Sequence, residues 1–327
     1  MTTHSYLLHG LPLDILAEAP VLAALHSRLG RFPAGPAAGG PRLSFEFRPL
    51  AAGGQPVVRP AGAARRVLDL GQGEVAYFGD SDQFYMDFGE HGQVLCEPGT
   101  GRVLVSYQVV DETTDWFLSH VCFTVPLAEL LKRHGLYMVH AAGLAVDGKG
   151  LLVAGQSGAG KTTLTLTLVR AGFGFLADDT VFLQATPSGQ TFRVLAFPDE
   201  IDVTAHTASF FAEIAKEIGE SPASARHKNP VCATRVYGVA PCWECAPAVL
   251  LFPQASQSPV SVVTPLSKAE AILQLLCNVV RTDPRSSQAH LDALAALVRD
   301  CRCYRLEAGR DFDTLPTLLR TLLEPPE

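Results

Sequence analysis

The chain contains no run of about 18 uninterrupted apolar residues, the length a membrane-crossing helix needs, so no membrane partner is expected. It also lacks a basic excess: 26 Lys and Arg stand against 33 Asp and Glu, a net charge of −7. A generic nucleic-acid binder carries the opposite balance, so no nucleic-acid partner is expected either. The opening residues, MTTHSYLLHGLPLDILAEA, have no basic segment followed by a clean apolar one. No secretory signal is read there, and a cytoplasmic location is the expectation. Cysteine is sparse, with 8 in 327 residues, too few for a secreted disulfide scaffold. Cys96, Cys122 and Cys277 lie among apolar neighbours and read as small buried hydrophobes. Cys242 and Cys245 form a CxxC with Cys232 ten residues before it, and Cys301 and Cys303 form a CxC. No second CxxC or matching His pair completes a zinc spacing, so reduced thiols are the default reading.

What is present is a core. With 47% hydrophobic and 18% charged residues, the chain is neither disordered nor fibrous, and its length suggests two domains or one large one. Residues 1 to 116 are rich in Gly, Pro and Ala. LSFEFRPL, RVLDL, EVAYFG, FYMDFG, QVLCE and RVLVSYQVV alternate like strands between turn-forming clusters. A helix is expected over Ile15 to Leu29, where apolar residues recur at helical spacing. The whole reads as a mainly antiparallel β domain without a chemical constellation. Asp80, Asp82 and Asp87 are taken as turn formers rather than a cation site.

From 117 to 327 the texture changes. WFLSHVCFTVPLAELLKRHG reads as a helical lead-in; YMVHAAGLAV, GLLVAG, FGFLADDTVFL and TFRVLAF read as strands, and TTLTLTLVRAG as a helix between them. SKAEAILQLLCNVVRT, SQAHLDALAALVRD and FDTLPTLLRTLL read as amphipathic helices. The alternation predicts an α/β core.

One motif dominates this half. Gly155-Gln156-Ser157-Gly158-Ala159-Gly160-Lys161-Thr162 matches G-x-x-x-x-G-K-[ST] in full, with apolar residues 151–154 before it and a helix from Thr163 after it. Glycines let backbone N–H groups turn inward on phosphate oxygens, and a helix N-terminus adds its positive dipole end. Lys161 supplies the formal charge between β- and γ-phosphates, and Thr162 places a hydroxyl where Mg²⁺ needs one. ATP or GTP binding is expected. The next strand then ends in Asp178-Asp179, the first of them seventeen residues past Lys161. Adjacent strand residues face opposite ways, so both reach one ligand only at a strand end. There one carboxylate can hold Mg²⁺ and the other can accept a proton from an incoming hydroxyl. His140, after Tyr137-Met138-Val139, is a third feature.

His140, the GQSGAGKT loop, a helix ending at Ala171-Gly172 and Phe175-Leu176-Ala177-Asp178-Asp179 together resemble the catalytic half of bacterial HPr kinase/phosphorylase. The resemblance covers about residues 138 to 183. It implies a P-loop α/β core shared with phosphoenolpyruvate carboxykinase, beside the N-terminal β domain. It implies ATP and Mg²⁺ as cofactors, with Gly155, Ser157, Gly158, Ala159, Gly160, Lys161, Thr162 and Thr163 around the nucleotide. Asp178 would be the base, Asp179 and Thr162 the metal ligands, and His140 and Lys161 groups beside the transferring phosphate. That family assembles into hexamers, so oligomerisation is implied as well. The implied activity is transfer of the γ-phosphate to a Ser or Thr hydroxyl of a peptide or protein acceptor.

The chain departs from the family in lacking its later E-x-R-G signature. Asp199, Glu200 and Asp202 offer acids at about that distance, and Arg226, His227 and Lys228 offer basic groups. The N-terminal part shows no likeness to that family, so it is expected to recognise an acceptor other than HPr, or a partner subunit. Divergence of this kind resembles the HPr-kinase-like proteins that accompany ribosomal-peptide modification genes. Two other readings stay open: a small-molecule kinase acting on an acceptor such as free serine, and an ATP-binding regulator that is not a kinase.

Overall fold

The computed structural model describes residues 1–35, 40–50, 55–69, 73–110, 114–189, 191–219, 228–279 and 283–324. The chain divides into two compact units, Met1–Leu136 with Val280–Ala289, and Tyr137–Val279 with His290–Glu327.

The first unit is built on an eight-stranded sheet. It begins with a hairpin, β1 (Thr2–Leu8) and β2 (Leu11–Ala17), whose turn residues His9 and Gly10 both take left-handed φ of 48° and 88°. That turn twists with its strands, which is why two-residue hairpins use it. Helix α1 follows at Ala19–Leu29, with a proline in its first turn and Val21, Leu22, Leu25 and Leu29 buried. The expected helix therefore starts later than Ile15. Ile15 lies opposite His4 in β1 and beside Phe45 of the next strand, so sheet pairing overrides its helical spacing. Strands β3 (Leu43–Pro49), β4 (Arg66–Asp69), β5 (Glu74–Phe78), β6 (Gln83–Asp87), β7 (Gly92–Glu97) and β8 (Arg102–Tyr107) complete the order β1-β2-β3-β8-β7-β6-β5-β4. Only β2–β3 and β3–β8 run parallel among these neighbours.

Residues 114–132 group with this unit, although a boundary at 116/117 would place nearly all of them in the second. They form α2 (Thr114–Phe117), a π-helical turn and α3 (Phe123–Lys132). Phe123 packs on Phe45 of β3 with ring centroids 4.9 Å apart. The buried Arg28 of α1 donates to the Ser119 carbonyl at 2.5 Å and to Thr124 Oγ1 at 2.7 Å. Packing and a buried cation anchor this segment to the first sheet. Asp80 pairs with Arg65, Asp82 pairs with Arg133, and Asp87 accepts the Gly89 N–H, so all three aspartates have local partners.

The second unit comprises β9 (Leu136–Val139), β10 (Ala141–Val146), β11 (Lys149–Ala154), α4 (Lys161–Arg170), β12 (Gly174–Ala177), β13 (Val181–Ala185) and β14 (Phe192–Leu195). It continues through β15 (Ile201–Thr204), α5 (Ala205–Ala208), α6 (Ala212–Ile218), β16 (Lys228–Val231) and α7 (Ala233–Tyr237). The long β17 (Glu244–Ala255), β18 (Val262–Pro265), α8 (Lys268–Leu275), α9 (Pro284–Asp300), whose residues up to Ala289 group with the first unit, β19 (Arg302–Ala308) and α10 (Leu315–Thr321) close it. Nine strands make one sheet in the order β12-β10-β11-β17-β14-β13-β9, with β19 also paired to β17 and β18 to β19. Side-chain alternation gives the sheet two apolar faces. Leu152, Ala154, Leu250 and Phe252 pack with Leu275, Leu294 and Leu297 of α8 and α9. Leu151, Val153, Val249 and Leu251 pack with Leu164 and Leu168 of α4 and Leu315 and Leu319 of α10. The result is a mixed α/β layered core.

FGFLADDTVFL is not one strand. The chain leaves β12 at Asp178, and β13 pairs with β14 instead of continuing beside β10. All eight cysteines are free thiols, and Cys277 is exposed rather than buried, because it follows α8 in a 3-10 turn whose neighbour Leu275 takes the inward position. No helix among the described residues is long and apolar enough to cross a membrane.

Candidate functional site

Sheet order assembles the site. β11 and β12 are not neighbours; β10 lies between them and is antiparallel to both. Two strands antiparallel to a common neighbour run the same way, so β11 and β12 end at the same sheet edge. The loop after Ala154 and the pair Asp178-Asp179 are thereby delivered together. His140 precedes β10, whose first residue Ala141 pairs with Ala154, so the histidine enters at that same edge.

The loop turns through Gly158 and Gly160, at φ of 82° and 95°, a left-handed conformation that side chains resist. Gly160 caps α4, and the Leu164 N–H closes the first helical turn on its carbonyl at 3.0 Å. At Gly155 a Cβ would come within 3.3 Å of the Ala159 methyl, so the loop is tight there. Ser157 is exposed at the loop's apex, while Thr163 lies one turn inside the helix and accepts from Thr167.

Lys161 is buried and folds back on the loop, donating to the Gly155 carbonyl at 2.8 Å and the Gln156 carbonyl at 3.3 Å. Burial lowers its pKa, an effect that Asp179 and Asp178 oppose. Thr162 Oγ1 donates to Asp178 Oδ2 at 3.0 Å. The other oxygen of Asp178, Oδ1, is buried with no hydrogen-bond partner. Burial, followed by the neighbouring charge of Asp179, pushes the Asp178 carboxyl up to about 8, against hydrogen bonds from Thr162 and Thr165. Asp179 is half-exposed, with Oδ1 3.9 Å from His140 Nε2. Burial lowers the His140 pKa, Asp179 raises it, and Lys161 and Lys228 lower it again. The His140 N–H is fixed on the Asn278 carbonyl at 2.9 Å.

The weaker candidates divide. Asp199 is buried, and its charge adds to the upward push on Asp178. Lys228 opens β16 opposite Thr204, and its charge reaches Lys161 as well as His140. Asp202 lies within β15, and Glu200 acts electrostatically on Arg235. Arg226 and His227 lie outside the described residues. Thr165 was not singled out from sequence; its place one helical turn after Lys161 is the signal that could have found it. Cys245, Cys301 and Cys303 belong to the apolar core, and among the described residues no group of three or more His, Cys, Asp or Glu is arranged around a metal.

The arrangement offers a cation on neutral carbonyls, a hydroxyl–carboxyl pair with one unsatisfied oxygen, and a second, accessible carboxylate. Thr162, Asp178 and Asp179 present oxygens, the donor set a hard divalent ion takes.

Comparison with known proteins finds the same segment. Residues 133–193 match the family model described as HPr Serine kinase C-terminal domain. The HPr kinase/phosphorylases of Bordetella pertussis and Bordetella parapertussis are each 29% identical over 139 residues, 38% of this chain and 44% of theirs. The chain thus spans less than half the length of these curated relatives. The HPr(Ser) kinase/phosphatase from Coxiella burnetii aligns at 14% identity and a TM-score of 0.31, over 57% of this chain and 93% of that one.

Proposed function

We propose that this chain, a divergent relative of the HPr kinase/phosphorylases, is an ATP-dependent kinase that phosphorylates a Ser or Thr hydroxyl of a peptide or protein. The observation that carries the reading is the Thr162–Asp178 pair at 3.0 Å, with the buried Asp178 Oδ1 left without a partner beside the glycine loop. A buried unsatisfied oxygen costs free energy unless a ligand completes it, which is characteristic of functional sites.

In this reading the loop N–H groups and the start of α4 hold the nucleotide phosphates. Lys161 exchanges its carbonyl partners for β- and γ-phosphate oxygens. Thr162 and Asp179 would hold Mg²⁺, whose bound charge neutralises the phosphate oxygens during transfer. Asp178 takes the proton of the acceptor hydroxyl. A pKa near 8 suits that work, because a base is most effective when its pKa lies near the working pH. His140, whose pKa burial lowers, would donate to the transferring phosphoryl group. The first unit, which contains none of these groups, is the part we assign to acceptor or partner recognition.

The test is an intact-mass assay of the purified protein with Mg-ATP and either peptides encoded beside its gene or free serine. A gain of one phosphate on a peptide, reduced on the order of 10²-fold or more by Asp178→Asn while nucleotide binding persists, is the expected result. Phosphate on free serine would replace this acceptor with a small molecule. ATP binding without any transfer would leave a regulator.

A further inference from the structure

At the far end of α4 lies a second concave surface. Two cavities of about 310 and 410 Å³ adjoin there, sharing Arg170, Phe312 and Asp313. The length of α4, at 1.5 Å per residue, separates them from the glycine loop by about 14 Å. Their size lies at the lower end of small-molecule sites.

The two cavities differ in chemistry. The smaller joins the guanidiniums of Arg170 and Arg320 to the hydroxyl-bearing Thr317. Arg170 meets Glu213 through Nε at 3.1 Å, whereas Arg320 donates to the neutral Ala171 carbonyl at 2.7 Å and lies 4.4 Å above the Phe173 ring. Two planar forks of this kind match the oxygens of a phosphate. The larger cavity is lined instead by Phe210, Phe312 and Arg310. Phe312 is half-buried and meets Phe210 at 5.3 Å, while Arg310 has the neutral Gln257 as its partner at 3.1 Å. Aromatic rings and a guanidinium lining one cavity offer a planar base both stacking and a cation. Of the two aspartates, Asp311 is committed to the Ser261 N–H and hydroxyl at 3.0 and 2.5 Å. Asp313 is exposed and is an acceptor available to ribose hydroxyls.

We propose that this groove binds an aromatic phosphate of the nucleoside monophosphate class. Its phosphate is taken by Arg170 and Arg320, its base by Phe312 with Arg310, and its ribose by Asp313. The site is separate from the glycine loop and makes no use of the groups assigned to phosphoryl transfer.

Calorimetric titration of the full chain with AMP tests this. The expected result is one AMP bound per chain, retained in Lys161→Ala and weakened at least tenfold in both Arg310→Ala and Arg170→Gln. Both substituted arginines are exposed, and thermal melts of the variants check that each still folds. AMP binding that disappears in Lys161→Ala but survives both groove substitutions would overturn the proposal. So would adenosine or inorganic phosphate alone binding as tightly as AMP, or no binding at millimolar AMP. Because Lys161→Ala reports on the loop separately, the groove and the kinase reading stand or fall independently.

Discussion

The two units of the chain treat their buried charges differently. In the first, Arg28 rests on the Ser119 carbonyl and the Thr124 hydroxyl, while two further sites are ion pairs. Lys132 pairs with Glu129 at 2.8 Å with both side chains almost wholly buried, and Arg133 pairs with Asp82 and Asp283 at 2.8 and 2.6 Å. In the second, buried ionisable groups at the sheet edge rest on neutral partners. Lys161 holds carbonyls, and Asp178 holds a threonine hydroxyl. A buried charge paired with its opposite has little left to offer a ligand and serves the fold. A charge held on neutral dipoles can exchange them for a better partner. In the proposed reading, the arrangement of Lys161 and Asp178 is the one that receives a phosphate and a cation.

The sharpest way to break this comparison is to remove one charge of each kind. Lys161→Ala should leave the fold intact, because its hydrogen bonds are to two loop carbonyls, yet lower the kcat/KM of the proposed transfer on the order of 10³-fold. It should also weaken nucleotide binding. Steady-state kinetics with a nucleotide titration checks both, and unchanged binding would remove Lys161 from the phosphate site. Lys132→Met should do the reverse. It leaves Glu129 buried without its partner, a loss of roughly 3–5 kcal/mol in unfolding free energy. The double variant with Glu129→Gln should recover much of that loss. Denaturant unfolding of the three proteins measures it, and equal losses in single and double variants would show that the pair is not coupled.

Asp178 sharpens the contrast through pH. Its carboxyl is raised from the ordinary carboxylate range to about 8 in the folded protein. The folded state therefore holds a proton that the unfolded chain has already released, and stability falls as pH rises from about 4 to about 8. Asp178→Asn removes this penalty. The substituted protein should melt higher than the parent at pH 8, and the gap should shrink towards pH 5. A constant difference across that range would mean that the aspartate is ionised throughout.

The sequence carried these groups but not their arrangement. GQSGAGKT, Asp178, Asp179 and His140 stood out because a glycine loop before a helix and a carboxylate pair at a strand end are local patterns. The Thr162–Asp178 bond did not, since it depends on β10 lying between β11 and β12, a long-range pairing that no local pattern announces. The alternation of Leu43–Pro49 and Arg102–Tyr107 marked strands correctly, because each buries one face and, Ser106 apart, leaves the other less buried. The hairpin of β1 and β2 escaped, its His9-Gly10 turn being weaker punctuation than the proline-rich clusters after it. β17 escaped for another reason. Its twelve residues include Pro247 and Pro253, which usually argue against a central strand, and Cys245 drew notice as part of a CxxC instead. Pro247 sits where the ladder to β11 shifts register, so the irregularity is absorbed by a bulge.

The smallest expected effect belongs to an ion pair on the first sheet. On β3, Arg48 grips Glu46 with two bonds, Nε to Oε1 at 2.7 Å and a second nitrogen to Oε2 at 2.9 Å, and Arg102 adds a third at 3.3 Å. The Arg48 hydrogen bond is the largest cause of the depressed Glu46 pKa, and burial opposes it. A carboxylate depressed in the folded state adds stability above its ordinary pKa and loses it as pH falls through the folded value. Because the pair is partly exposed and Arg102 remains, Arg48→Ala should cost only about 0.5–1 kcal/mol at neutral pH. The cost should shrink in high salt and approach zero once the medium is acidic enough to protonate Glu46. Substituting Arg102 as well should cost more than the two single losses combined, since either arginine alone can still hold the carboxylate. Urea unfolding at two pH values and two salt concentrations measures all three effects. A loss that ignores both pH and salt would assign Arg48 to packing, and the comparison of paired with poised charges would then have to do without it.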